Sequence, residues 1–172
     1  MNERQDPDKG AVKRTIEILV DNESGVLARI VGHISGRGLN ISGTTIEECR
    51  EGAALARITI VFLATDMLAE QIVNQVDKLV PTHMVVDLSN KKFIERKLVL
   101  VKVTPTEGVS FAKLISMAKT QNGKLENRRT HKADGFAIFA HAGFVEGCTR
   151  FIKLMERFGK VEVRGSGPVV MV

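Results

Sequence analysis

The chain has 172 residues, 44% of them hydrophobic, which is enough to bury a core in one large domain or two small ones. Its formal charge of +5 permits an acidic partner, but it has no Trp and no Tyr for single-stranded nucleic acid to stack on, so no nucleic-acid partner is expected. Its apolar runs fall far short of the roughly 20 residues that span a bilayer, and the polar residues 1–13 lack the apolar stretch of a secretory signal, which predicts a cytoplasmic protein without a membrane segment.

The first half of the chain has the pattern of one βαββαβ unit after a disordered tail at residues 1–13. Its predicted elements are a strand at 15–20, a helix at 25–37, strands at 41–47 and 55–63 joined by a turn at Glu51-Gly52, a helix at 68–79 and a strand at 84–88. Ser24 is the candidate N-cap of the first helix and Gly38 its candidate stop, while Pro81 ends the second helix. On the sheet, we expect partly exposed positions at Ile46, Arg57, Thr59 and Val61.

The second half repeats the same order after a polar joint at residues 90–92. Its predicted elements are a strand at 98–103, a helix around 111–118, strands at 124–130 and 136–141, a helix at 148–155 and a strand at 161–164, followed by a turn and an apolar tail. Cys148 falls on the apolar face of its helix and is expected in the core. With Cys49 it makes a pair whose separation favours neither a disulfide nor a zinc site.

These patterns predict an α+β protein made of two ferredoxin-like βαββαβ units. In each unit, right-handed crossovers place both helices on one face of a four-stranded antiparallel sheet. The other face and the edge strands stay open, and small units commonly cover them by pairing with a second copy. We therefore expect a homodimer.

The segment from Asp21 to Arg29, which leads from the first strand into the first helix, has the features of a carboxylate site. A helix N-terminus offers unpaired backbone N–H groups, Gly25 lets a ligand approach the backbone, and the Asn22 amide can both donate and accept. An amino acid zwitterion needs these groups. A plain N-cap with a turn, which any helix start can show, is the alternative.

The part of this segment from Asn22 to Arg29, followed by Arg37-Gly38-Leu39-Asn40-Ile41, resembles the ACT domain of the acetolactate synthase small subunit, also called the acetohydroxyacid synthase regulatory subunit. The likeness continues in order through residues 57–61, 71–79, 85–88, 94–103 and 158–163, and covers about residues 14–168. The resemblance implies an ACT regulatory domain at 14–89 and the C-terminal ferredoxin-like domain of the small subunit at 94–172.

The resemblance also implies what the protein does. In that family, valine or a related branched-chain amino acid binds at the ACT dimer interface and inhibits a separate large catalytic subunit. Thiamine diphosphate, Mg and FAD are expected in that partner, and no cofactor is expected in this chain. Asn22, Gly25 and Val26 of one protomer, with Asn40 and Ile41 of the other, are the expected effector contacts. Under this resemblance, backbone N–H groups near Gly25 and Val26 are expected to hold the carboxylate, the two amides to orient the polar end, and Ile41 to line the aliphatic pocket.

Bound ligand can act on the catalytic partner only through different affinities for two arrangements of the complex. We therefore expect the ligand to stiffen or reorient the ACT dimer, and the unliganded subunit to activate its partner. The sequence departs from the family at Ser42-Gly43, where Glu-Ser is common, and in residues 166–172, which lack the usual basic residues. These departures bear on ligand preference and on partner contacts.

Three other interpretations of the sequence are catalysis, a free-standing sensor and a purely structural dimer. Catalysis would need converging groups, and the candidates are scattered over both units: His33, His83, His131, His141 and Cys49. The segment Ser35-Gly36-Arg37-Gly38 is too short for a phosphate loop. A free-standing ACT sensor that controls another enzyme or transcription is the stronger alternative, and a purely structural dimer, which predicts no amino-acid binding, is the third.

Overall fold

A computed structural model describes residues 10–49, 54–130 and 135–172. Most of the predicted tail, the turn at Glu51-Gly52 and His131 lie outside the described residues. The first unit contains β1 (Val12–Asp21), α1 (Val26–Ser35), β2 (Ile41–Glu48), β3 (Leu55–Ala64), α2 (Asp66–Val76) and β4 (Thr82–Asp87). The second contains β5 (Ile94–Pro105), α3 (Phe111–Thr120), β6 (Lys124–Arg129), β7 (Phe136–Gly143), α4 (Val145–Glu156), β8 (Gly159–Gly165) and β9 (Val169–Met171). The predicted α+β class, with two ferredoxin-like units, is confirmed.

The first sheet has the strand order β2-β3-β1-β4, and its described pairs are antiparallel. β2 and β4 are therefore the edges. Alternate residues of β1 and β3, including Ile16, Ile18, Ile58 and Ile60, face the helices and are almost fully buried. The apolar faces of α1 and α2 cover them and close the core of this unit.

Several boundaries differ from the sequence prediction. β1 begins at Val12, which pairs with Ala64, so the last two residues of the predicted tail belong to the sheet. The apolar pattern did not indicate this start because Lys13 and Arg14 are charged. α1 ends at Ser35 and is followed by a turn in which Gly38 has φ of 76°, the left-handed conformation expected at the stop. α2 ends at Val76, before the Pro81 that was predicted to limit it.

The exposure predicted for four residues of the first sheet is correct for two of them. Ile46 and Arg57 are exposed, but Thr59 and Val61 are each only 5% exposed. The prediction was wrong for these two residues. They lie towards the middle of β3, an interior strand with β1 paired on one side and β2 on the other.

The second sheet has the order β6-β7-β5-β8, and β9 also pairs with β5. Residues of β5 and β7 that face the helices, including Val101 and Phe139, are fully buried. They pack with Leu114 of α3 and Phe151 of α4. Cys148 is 2% exposed, so its predicted place in the core is confirmed. β9 was not predicted, since the sequence indicated only an apolar tail.

The chain divides into two compact units. The first ends at Ile94 and includes Val170–Val172, while the second is Glu95–Val169. The assignment of residues 14–89 and 94–172 to two functional domains stays a prediction. No helix in the described part of the chain has the length and apolar character needed to cross a bilayer. The described residues also contain no cluster of three potential metal ligands among His, Cys, Asp and Glu.

Candidate functional site

Gly25 shapes the entry to α1. Its φ of 85° lies in the left-handed region, where side chains are strained, and it occupies the N-cap position without a side-chain cap. Ser24, the predicted cap, lies one residue too early, because the chain turns at Gly25 and not before it. A Cβ at Gly25 would meet nothing within 4 Å, so the backbone here borders open space.

Free backbone donors point from this end of the helix. The first helical hydrogen bond runs from the Arg29 N–H to the Gly25 carbonyl oxygen at 3.0 Å. The N–H groups of Val26, Leu27 and Ala28 precede that bond and have no partner inside the helix. Val26 is 3% exposed and its side chain belongs to the core, so it can offer a ligand only its backbone. The arrangement suits a carboxylate.

The loop before α1 is held in place by the strands around it. The Asn22 N–H donates to the Ala54 carbonyl oxygen at 2.7 Å, and the Asp21 N–H donates to the Pro81 carbonyl oxygen at 2.8 Å. His83 Nε2 lies 2.7 Å from Asp21 Oδ1. These bonds fix the loop from two neighbouring connections, so the donors of α1 are positioned before any ligand arrives.

Acidic side chains surround the loop. Asn22 Nδ2 donates to Glu48 Oε1 at 3.2 Å, and Glu48 is the last residue of the edge strand β2. Arg29 Nη2 pairs with Glu23 Oε1 at 2.7 Å. A carboxylate beside Asn22 can attract an ammonium group. Sequence reasoning missed Glu48 because it lies 26 residues from Asn22 and carries no local motif.

Asn40 and Ile41 lie at the opposite end of the sheet. Ile41 begins β2 and pairs with Phe62, whereas Asp21, next to Asn22, pairs with Leu55. These partners lie seven positions apart on β3, which is roughly 23 Å of strand. Asn40 is exposed, and Ile41 is half-buried against the core. One chain therefore brings Asn22, Gly25 and Val26 together but does not bring Asn40 and Ile41 to them.

Two clefts of the first unit are lined by other residues. One, of about 310 Å³, is lined by Arg14, Asp66, Glu70, Val73, Asp87 and Asn90, and the other, of about 300 Å³, by Lys92, Phe93, Ile94, Met171 and Val172. In the first cleft, the buried Arg14 guanidinium pairs with Asp66. Neither cleft includes an expected effector residue.

Comparison with known proteins decides the family. A family model described as the AHAS small subunit-like ACT domain matches residues 16–84. The acetolactate synthase small subunit of Aquifex aeolicus is 33% identical over 95% of this chain and 83% of its own length. The probable acetolactate synthase small subunit of Archaeoglobus fulgidus is 32% identical over 94% of this chain and 97% of its own.

The chain belongs to the acetolactate synthase small-subunit family. A crystal structure of the acetolactate synthase small subunit from Thermotoga maritima matches the fold with a TM-score of 0.75 at 26% identity, covering 93% of this chain and 96% of that one. The resemblance identified from sequence is confirmed. As a small subunit of this family, the chain is a regulatory, non-catalytic component, and a catalytic large subunit is implied as its partner.

The scattered histidines do not assemble into a catalytic group in the part of the small subunit that the structure describes. His33 is exposed on α1, and His83 pairs with Asp21. His141 is 8% exposed and stacks on Phe151 with ring centroids 4.9 Å apart. Its two ring nitrogens lack a hydrogen-bond partner among the described residues, so it is a core residue but not a satisfied one. Ser35-Gly36-Arg37-Gly38 is the turn that ends α1.

Proposed function

We propose that this small subunit senses a branched-chain amino acid, valine in the first instance, and passes the signal to the catalytic subunit of acetolactate synthase. The observation that carries the proposal is the loop before α1, where unpaired helical N–H groups, open space at Gly25 and the Asn22 amide lie side by side. Those groups match the carboxylate and ammonium of an amino acid.

The effector site is completed by a second copy of the chain. β2 is an edge strand, and a twofold axis that pairs it with its own copy makes the two strands antiparallel. With their ends aligned, Ile41 of the partner subunit falls beside Glu48 at the far end of β2. Glu48 is hydrogen-bonded to Asn22. Edge pairing thus brings together the two groups that one chain holds roughly 23 Å apart.

Each contact has a chemical role in this arrangement. The carboxylate lies at the N–H groups of α1, where the helix dipole also favours negative charge. Asn22 of one protomer, together with Asn40 of the partner subunit, orients the polar end of the amino acid. The Glu48 carboxylate attracts its ammonium group. Ile41 of the partner subunit supplies apolar surface for the branched side chain.

The signal follows from the position of the ligand between two protomers. A ligand that touches both chains binds one arrangement of the dimer more tightly than others, and it shifts the population toward that arrangement. The unliganded subunit activates the catalytic subunit, and the liganded dimer withdraws that support. Thiamine diphosphate, Mg and FAD belong to the catalytic subunit in this account, and both subunits work in the cytoplasm.

Calorimetric titration of the purified protein with valine, leucine and isoleucine tests the sensor. Saturable binding of one of them is expected. Asn22→Ala and Asn40→Ala should each weaken it by roughly tenfold or more, because each removes a hydrogen bond to a charged group of the ligand.

Asn74→Ala is the matched control, since Asn74 is exposed on α2, away from both halves of the site. Its affinity should equal that of the unaltered protein. Binding that persists unchanged in both site variants would contradict the assignment of the site, and the absence of binding to any of the three amino acids would contradict the sensor itself.

A further inference from the structure

The second sheet leaves its helix-free face uncovered. On β5, Val99, Val101 and Val103 face the helices and are buried, so the alternate residues lie on the other side. Leu98 and Leu100 on that side are 44% and 40% exposed. Their register partners on β7 continue the apolar surface with Ala142 and Ala140, and Ile138 follows on the same strand. We call this surface, with its charged margin described next, the open face.

The margin of the open face is basic. Arg164 pairs in register with Leu100, and Lys160 with Thr104, both on β8. Arg96 precedes Leu98 by two residues and lies over the Phe144 ring, 3.7 Å from its centroid. Glu162, an acidic residue of this margin, is engaged by Lys102 at 3.1 Å. Arg96, Lys160 and Arg164 therefore leave the open face with an excess of positive charge.

An apolar centre inside a charged margin is the composition of a protein interface, in which apolar contact supplies affinity and the charges select the partner. We propose that the open face docks an apolar surface with an acidic margin on the catalytic acetolactate synthase subunit. The inference rests on the proposed function, because it takes the catalytic subunit as the partner, and it adds the place of contact.

Two other occupants fit the open face less well. A second copy of the chain would bring like charges together at Arg96, Lys160 and Arg164, which opposes association. Nucleic acid would find little to stack on, since the aliphatic centre is Leu98, Leu100 and Ile138 and the chain has no Trp and no Tyr. Of the two aromatic residues near this face, Phe136 is half-buried, with Lys102 Nζ 5.1 Å from its ring centroid, and Phe144 is 52% exposed but lies under the Arg96 guanidinium.

The test compares two double variants in binding to the purified catalytic subunit of the same organism. Leu100→Asp with Arg164→Glu alters the open face at an exposed apolar residue and an exposed cation. Val80→Asp with Lys119→Glu makes the same chemical changes at the 95% exposed Val80 and at an exposed residue of α3. Circular dichroism establishes that both variants are folded.

The open-face variant should bind the catalytic subunit roughly tenfold or more weakly, and the control variant should bind within about twofold of the unaltered protein. Affinity of the unaltered protein should also fall as salt is raised, because the margin contributes charge. Valine binding by the open-face variant, measured by calorimetry, should be unchanged.

Equal binding by the open-face and control variants would overturn the docking proposal and leave the sensor proposal standing. Two further results would also overturn it. If only the open-face variant loses the homodimer, the face binds a second copy of the chain. If that variant loses binding to a labelled single-stranded oligonucleotide but still binds the catalytic subunit, the face binds nucleic acid. If the unaltered protein fails to bind the catalytic subunit, the docking proposal and the partner assignment fail together.

Discussion

Cys148 lies on the inner side of α4, where its Sγ donates to the Lys97 carbonyl oxygen at 3.4 Å. Burial raises the pKa of this thiol above its ordinary value of 9.0, and a hydrogen bond with Gly143 and the charge of Lys97 oppose the rise only in part. The unfolded chain therefore loses the thiol proton at lower pH than the folded chain. The free energy of unfolding therefore falls as pH rises above about 9, where the thiol of the unfolded chain ionises first. At lower pH this thiol does not make the free energy of unfolding depend on pH.

A Cys49→Ser variant, which leaves Cys148 as the only thiol, should react with a disulfide reagent at pH 8 far more slowly when folded than when unfolded. The thiol is both buried and protonated, and the thiolate is the reacting species. Labelling followed by absorbance, with a Cys148→Ala variant to measure the reaction of Cys49, checks this. Equal rates for folded and unfolded chains would contradict it.

Single residues mark where sequence reasoning succeeds and where it stops. The buried place of Cys148 follows from helical spacing, which is a local property. The position of the α1 cap cannot be predicted in this way. Ser24 has the side chain preferred at a cap, but Gly25 has the φ of 85° that turns the chain. Glu48 joins the site only through the fold, since its partner Asn22 is on another element.

The junction of α3 and β6 depends on the absence of a side chain at Gly123. A Cβ there would lie 2.4 Å from Phe151 Cε2 and 2.9 Å from the Ala118 carbonyl oxygen. Gly32, in the middle of α1, is the contrasting case, because a Cβ there would meet nothing within 4 Å. The same substitution should therefore have opposite effects in these two elements.

Gly123→Ala should lower the free energy of unfolding of the second unit by about 1–3 kcal/mol, because Phe151 has to leave its packed position. Gly32→Ala should raise that of the first unit by about 0.5–1 kcal/mol, because alanine reduces the backbone entropy lost when the helix forms. Urea denaturation followed by circular dichroism measures both. An unchanged midpoint for Gly123→Ala would show that the junction has room that the structure does not indicate.

Elements with strong periodicity were predicted and their ends were not. All four helices and seven of the first eight strands follow from apolar spacing, which reports the buried face directly, whereas β6, with Leu125 as its one apolar residue, follows from the repeat of the element order. β5 begins at Ile94, before the predicted start at residue 98. The prediction missed this part of the strand because the charged residues Glu95 and Lys97 interrupt the apolar pattern there. β9 has three residues and its existence depends on pairing with β5, a contact that local sequence cannot reveal.

At the scale of the whole molecule, the account requires a dimer formed through β2. Ile46 lies on this edge strand and is 47% exposed. Ile46→Lys should shift the protein from dimer toward monomer in sedimentation velocity, because a lysine on an edge strand opposes pairing with another strand. Leu63→Lys, at a 53% exposed residue of the interior strand β3, is the control and should leave the dimer intact. A dimer that survives Ile46→Lys would place the interface elsewhere.

The effector site shows how far a single sequence reaches at this scale. The carboxylate half follows from the residues of the loop before α1. The assignment of Asn40 and Ile41 came from the family resemblance, and the structure explains why residues alone could not supply it: within one chain they lie at the far end of the sheet. A site that forms between two copies has no signal in the local pattern of either one.

The most direct test of the regulatory account is the activity of the purified catalytic subunit, measured with and without this chain while valine is titrated. The account predicts that the chain raises acetolactate formation, and that valine reverses the increase in this chain but not in its Asn22→Ala variant. Equal rates with and without the chain, at a concentration where the two subunits are shown to bind, would contradict it.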